Sequence, residues 1–198
     1  MNIFQNQFSF LNTIYRSVPL TLPIIICIIY YNTKSRHILY LFIGTLLINF
    51  LYIPFIKKIL SYLGNYLSNI YGTIDIPIIG RFKRPEGATN CGVIYISENN
   101  YSSTSGMPSG HCILTAFTSI YLYHYITNKY NMNYNNSVIL FILLMITTIY
   151  MAYTRILFNC HTFQQTVIGT LMGIILGHYY YKSYKIYSKY IFNENENN

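Results

Sequence analysis

The chain has 198 residues, room for one domain, and 53% of them are hydrophobic while only 9% are charged, against roughly 25% charged in an ordinary soluble domain. The net charge is +8, but the basic residues come singly or in pairs between apolar stretches, without the basic face or arm that nucleic acid requires. The composition belongs to a bilayer: no charge falls between Arg16 and Lys34, Arg36 and Lys57, Lys129 and Arg155, or Arg155 and Lys182, and each gap can hold a membrane helix of about 20 residues.

In chain order, the first apolar stretch, Ser17 to Thr33, lacks a small-residue cleavage site and is followed at once by another span, so it reads as a retained helix. A second span runs from Ile38 to Ile56. From Ile59 to Tyr71 the apolar positions 59, 60, 62, 63, 66, 67, 70 and 71 form a helical stripe with polar residues opposite. This third helix is amphipathic, and either lies in the interface or crosses with its polar face inside a bundle. Asp75 to Ser105 is the long non-hydrophobic region, and loops of that length usually carry function.

Three further spans follow, Ser109 to Thr127, Ser137 to Thr154 and Thr162 to Tyr181. In the last, Gly169, Gly173 and Gly177 recur every four residues, a small-residue stripe that lets helices approach closely. The tail from Lys182 ends in Asn-Glu repeats and is expected to be disordered beyond Phe192. The fold class is therefore an all-α polytopic membrane bundle of about six helices. It forms one integral-membrane domain, 1–198, with its motif core at about 77–181.

Four cysteines, Cys27, Cys91, Cys112 and Cys160, show no C-x-x-C pairing. Helical neighbours point about 100° apart, so His111-Cys112 and Cys160-His161 are poor metal pairs, and neither metal nor cofactor is expected. Cys91 and Cys160 fall on the same membrane face, which permits a disulfide, although free buried thiols are the commoner outcome.

Three polar clusters stand out at helix ends: Arg81-Phe82-Lys83-Arg84-Pro85, Pro108-Ser109-Gly110-His111, and Arg155 with His161 six residues later. The connectivity brings all three to one membrane face, and ionisable residues gathered there are functional candidates. Phosphoryl transfer needs this set. Arginines offer bidentate donors to phosphate oxygens, and the free N–H groups of a helix start add a positive dipole end. One histidine can attack phosphorus while the other protonates the departing oxygen. With no carboxylate pair or metal-ligand spacing beside them, a metal-free covalent route fits better than a two-metal one.

Arg84-Pro85, Pro108-Ser109-Gly110-His111 and Arg155-(five residues)-His161 resemble, in the correct order, the three motifs of the type 2 phosphatidic acid phosphatase superfamily. That superfamily also contains vanadium haloperoxidases, dolichyl diphosphatases and glucose-6-phosphatase. The resemblance covers about half the chain, Gly80 to Gly173. Pro-Ser-Gly-His at the head of an apolar helix is its most specific part. The resemblance implies a six-helix core without a metal requirement. It also implies His161 as nucleophile, His111 as general acid, and Arg84, Ser109, Gly110 and Arg155 as phosphate ligands.

Two departures from the family pattern stand out. The first motif usually opens with a lysine seven residues before the arginine, and here Pro77 occupies that position. Arg81, on the same helical face as Arg84, is the best substitute for the missing charge, with Lys83 next. The second departure is Gln165, where the family often has an aspartate orienting the nucleophile. Glutamine can accept the same hydrogen bond without the charge, as in the dolichyl diphosphatase and glucose-6-phosphatase branches.

The expected activity is hydrolysis of lipid phosphate monoesters or diphosphates, of the polyisoprenyl diphosphate or phosphatidate type. The expected partners are that lipid and the bilayer, with no nucleic acid. The alternatives are a degenerate, non-catalytic lipid-binding protein of the same fold and a vanadate-using peroxidase. Lys129, Lys182, Lys185 and Lys189 lie opposite the motifs, joined by Lys57 and Lys58 if the amphipathic segment crosses, so the motif face is expected to be lumenal or extracytoplasmic. His124 and His178 read as interfacial residues beside tyrosines.

Overall fold

A computed structural model describes residues 3–72, 75–76, 80–88, 91–92 and 105–192, with side-chain detail for 13–72, 80–88, 91–92 and 105–190. Among these residues are six α-helices: α1 (Ile3–Thr33), α2 (Arg36–Leu47), α3 (Ile53–Tyr71), α4 (Gly110–Lys129), α5 (Tyr134–Leu157) and α6 (Phe163–Phe192). Asp75–Ile76 (β1) and Gly80–Arg81 (β2) make a small antiparallel ribbon. The molecule is an all-α membrane bundle, and three of its stretches are long and apolar enough to cross a membrane: Thr13–Thr33, Arg36–Tyr71 and Tyr134–Leu157. The expected disorder beyond Phe192, and Pro77, lie outside the described residues.

The helix breakers in these spans are accommodated individually. Pro23 has no N–H for the carbonyl of Pro19, one turn earlier in α1, and Asn49 Nδ2 donates to that carbonyl at 2.8 Å. Pro54 would press its ring on the carbonyl of Phe50, and the chain there takes a wider π-helical turn, Ile48–Tyr52. The break is thereby avoided, so α2 and α3 run on as one rod, ending at Gly72, whose φ of 63° is the left-handed cap glycine adopts most readily.

The joined rod fixes which end of the bundle the amphipathic segment lies at. Arg36 begins beside the lysine-rich end of the bundle, where His37 stacks on Tyr125, Tyr181 and Tyr184. At 1.5 Å per residue Lys57 lies about 32 Å further on, one bilayer core away. Lys57 and Lys58 therefore stand at the motif end rather than with the lysines of the opposite face, which they were expected to join only if the amphipathic segment crossed. Beyond them α3 turns Gly64 towards the protein, while Tyr62, Tyr66 and Ile70 remain 60–71% exposed. Leu60 and Leu67 turn inward with Gly64, and the rest of its apolar stripe faces outward.

The centre of the bundle is α4, whose side chains from Gly110 to Ala116 are nearly all buried. The glycine stripe of α6 lies directly on the α4 backbone. A Cβ at Gly169 would come 2.6 Å from the Ser109 carbonyl and one at Gly177 2.6 Å from that of Phe117, while Gly173 faces the Ile113 carbonyl and lies 2.7 Å from Ala116 Cβ. On its other side α4 meets α5, where Ser119 Oγ donates to the Leu144 carbonyl at 3.2 Å and contacts Thr148 Oγ1 at 3.2 Å. The α2 rod covers the remaining face through Leu41, Ile48 and Phe117.

Gly173→Val forces these backbones apart, so the melting midpoint of the detergent-solubilised protein should fall, corresponding to about 1–3 kcal/mol of overpacking. Gly173→Ala should fall by less. A valine variant as stable as the wild type would contradict the contact.

Candidate active site

Three loop segments are laced together at the motif end. In the first, Phe82 packs over Gly64 and against Met107, Leu60 and Leu67. The Phe82 carbonyl accepts from Gly106 N–H at 2.9 Å and Met107 N–H at 3.1 Å, and Lys83 bridges Ser105. The two ends of the long loop are therefore zipped side by side, carrying Arg84 and Ser109 into the same region.

The six-residue step from Arg155 to His161 is one tight turn. The Arg155 carbonyl accepts from both Cys160 N–H at 2.9 Å and His161 N–H at 3.1 Å, with Asn159 at a φ of 53°. Asn159 Nδ2 donates to the Glu86 carbonyl at 2.9 Å, and Arg84 Nη1 donates to the Cys160 carbonyl at 2.9 Å. Cys160 is joined by a disulfide to Cys91, so the expectation of free thiols is corrected for this pair. Sequence spacing cannot reveal such pairing, because it depends on where the loop between them folds. Cys27 and Cys112 are free.

His161 and Gln165 fix one another. Gln165 Nε2 donates to the carbonyls of Arg81 at 2.7 Å and Lys83 at 2.8 Å, so its amide has one possible orientation. Oε1 then faces His161 Nδ1 at 3.0 Å and also accepts from Thr162 N–H at 3.2 Å. Since Oε1 only accepts, the imidazole proton sits on Nδ1. Nε2, 3.3 Å from the donor Arg84 Nη1, carries the lone pair. An aspartate could hold the histidine but could not donate to two carbonyls. Gly106 makes room for this amide, since a Cβ there would lie 2.7 Å from both Gln165 Nε2 and Oε1.

Across from His161 is the start of α4. Ser109 N–H donates to the Gln165 carbonyl at 3.1 Å, tying that start to α6. Ser109 stands at the helix N-cap without a side-chain capping bond, and its buried hydroxyl has no hydrogen-bond partner among the described residues. Gly110 is backed by Ile53. His111 is buried with Nε2 3.1 Å from the Arg16 carbonyl of α1, so that nitrogen is the donor. Arg155 is fully buried, and among the described residues none of its three guanidinium nitrogens has a hydrogen-bond partner. A buried charge left this way is costly unless an anion meets it.

The substitutes expected for the motif lysine are placed differently. Arg81 lies 3.8 Å from Glu86 in an ion pair, and the Lys83 side chain is exposed. What both contribute to Gln165 is a carbonyl. Two cations at the site were missed in the sequence, Arg16 and Lys57, because each is a lone charge marking the end of a span. His124 and His178 lie at the far end, 3.0 Å apart, with His124 stacked on Tyr181.

His161 is held well below its ordinary pKa of 6.5, first by burial, then by the neighbouring cations Arg84 and Lys57, with the Gln165 bond pulling the other way. It is neutral at physiological pH, with a nitrogen lone pair beside buried arginines. That is a constellation for attack on a phosphoryl group.

The family model of the PAP2 superfamily matches residues 58–188. The chain belongs to the PAP2 superfamily. Membership supports a phosphatase of the PAP2 type, and the three apolar stretches support a membrane protein. Comparison with curated proteins and with solved structures finds no match.

Gln165→Glu replaces the donor to two carbonyls with an anionic oxygen. The variant should lose stability corresponding to about 1–3 kcal/mol, read as a lowered melting midpoint, and turnover should fall with it. An unchanged midpoint would show that the amide is not the clamp described.

Proposed function

We propose that this PAP2 phosphatase hydrolyses lipid phosphate monoesters or diphosphates, of the polyisoprenyl diphosphate or phosphatidate type, through a metal-independent phosphohistidine on His161. The observation that carries the reading is the fixed tautomer. Gln165, oriented by two carbonyls, keeps the proton on His161 Nδ1 and leaves Nε2 as the nucleophile.

In the first step Nε2 donates its lone pair to phosphorus while the bond from phosphorus to the lipid oxygen breaks. Arg84 moves its donor from Nε2 to a phosphoryl oxygen, and Arg155, Ser109 and the free N–H groups opening α4 at Gly110 hold the others. The leaving oxygen takes its proton from His111. Because the Arg16 carbonyl holds His111 Nε2–H, the proton that moves is a second one on Nδ1, taken up when the negative charge of the bound phosphoryl group favours the imidazolium. Water then attacks phosphorus, His111 accepts its proton, the N–P bond breaks with its electrons returning to Nε2, and inorganic phosphate leaves. Arg81 and Lys83 orient Gln165 through their carbonyls.

The site belongs on the lumenal or extracytoplasmic side. Lys129, Lys182 and Lys185 mark the other end as cytoplasmic, and a disulfide one residue from the nucleophile belongs in an oxidising compartment. With α2 and α3 forming one rod, the chain crosses five times, with its N-terminus on the site's side and its C-terminus in the cytoplasm.

Purified protein given detergent-solubilised polyisoprenyl diphosphate, phosphatidate or diacylglycerol diphosphate, with EDTA present, should release phosphate, and the rates rank the substrates. His161→Ala should slow release by about a thousandfold or more, as loss of a covalent nucleophile does. Equal release by both proteins refutes the mechanism, while no release by either favours the non-catalytic lipid-binding reading.

The pH profile tests the same group. The reactive form of His161 is neutral and its pKa lies well below 6.5. Activity should therefore persist as pH falls through 6.5, the acid limb of kcat/KM lying lower. Arg84→Gln removes one of the depressing charges and should move that limb upward. A wild-type limb above 6.5 would count against His161.

A further inference from the structure

We propose that Lys57, on α3, is a phosphate-binding residue of this site, supplying from a different helix the ammonium charge that the loop before Arg84 lacks. The inference rests on the phosphatase reading above and extends it to a residue just outside the matched family region.

The geometry starts from the helix face. Ile53, Lys57, Leu60, Gly64 and Leu67 follow one another at alternating steps of four and three, so they share one side of α3. Every other member of that side touches the site's framework. Ile53 backs Gly110, where a Cβ would lie 3.0 Å from Ile53 Cγ2. Leu60 and Leu67 pack against Phe82 and Met107, and Gly64 lies beneath the Phe82 ring. Lys57 sits between Ile53 and Leu60, and its carbonyl accepts from Ser105 Oγ at 3.5 Å, where the long loop re-enters before Pro108. A side chain leaving this face one turn after Ile53 projects between the Gly110 helix start and the Phe82–Arg84 loop.

The electrostatics agree with that placement. Lys57 is among the charges acting on His161, alongside Arg84. The side chain is half-buried, whereas its neighbour Lys58 is exposed. Lys57 has no hydrogen bond or ion pair from its ammonium among the described residues. A lysine that only anchored the helix at the membrane surface would point to the headgroups, as Lys58 does. One that faces the buried Arg84 and a neutral histidine is stabilised by an anion between them. The competing cations are otherwise engaged, Arg81 with Glu86 at 3.8 Å and Lys83 exposed.

The test uses the full chain in detergent with orthovanadate as the oxyanion probe, read both as binding and as inhibition of lipid-phosphate turnover. Lys57→Gln should weaken vanadate binding about tenfold or more, Lys57→Arg should stay within about threefold of wild type, and Lys58→Gln, Arg81→Gln and Lys83→Gln should bind as wild type does. Vanadate binding by Lys57→Gln equal to wild type overturns the assignment, as does a loss confined to Arg81→Gln or Lys83→Gln. Should Lys57→Gln fail to fold, the wild type answers the question. Vanadate should slow acetylation of Lys57 by acetic anhydride, read by mass spectrometry, while leaving Lys58 unaffected. Equal modification of Lys57 with and without vanadate refutes the proposal. Vanadate binding that depends on Lys57, without turnover by wild type or His161→Ala, would support the Lys57 assignment while the phosphohistidine mechanism fell.

Discussion

Everything at the site hangs on how closely α6 lies against α4. Gly169, Gly173 and Gly177 let the two backbones touch, and that contact sets the axial register of the helices that begin just before His111 and just after His161. A side chain at any of the three positions would hold the helices apart and shift one histidine relative to the other. The hydrogen bond from Ser109 N–H to the Gln165 carbonyl is made at the top of the same contact. Interior packing does not yield continuously, so a small separation low in the bundle is transmitted to the catalytic end.

Upon that register the polar layer is built from backbone groups as much as from charges. The carbonyls of Arg81, Lys83, Cys160 and Arg16 each accept from a residue of the proposed machinery. Carbonyls are fixed by the fold in a way that long side chains are not, and donors held by them lose little freedom when a substrate arrives. Gln165 in particular joins three segments: the first loop through its amide N–H groups, the turn after α5 through His161 and Thr162, and α4 through its own carbonyl.

What the sequence revealed and what it hid divide along a physical line. His161, Arg155 and Gln165 are close in the chain, so a local turn and one helical step fix their relations, and these were legible. Pro-Ser-Gly-His was equally so, because a helix start is a local event. The spans at α1, α2 and α5 followed from uninterrupted apolar runs. Lys57 and Arg16 were not legible as site residues, since each reaches the site only through the packing of its whole helix, and a single charge at the end of a span has the same signature whichever way it faces. The continuity of α2 and α3 was hidden for a different reason. Pro54 and the lysine pair both look like a stop, and the π-helical turn that absorbs the proline has no spacing signature of its own.

The Cys91–Cys160 bond closes a ring of chain that contains α4, the connection after it and α5. The α4–α5 connection, around Tyr130 to Asn133, lies at the opposite end of the bundle and is mostly exposed. A protease that cut there would leave both fragments on one covalent skeleton, with the Gly110 helix start and the Arg155–His161 turn still tethered to each other. The cut protein would run as two bands only after reduction.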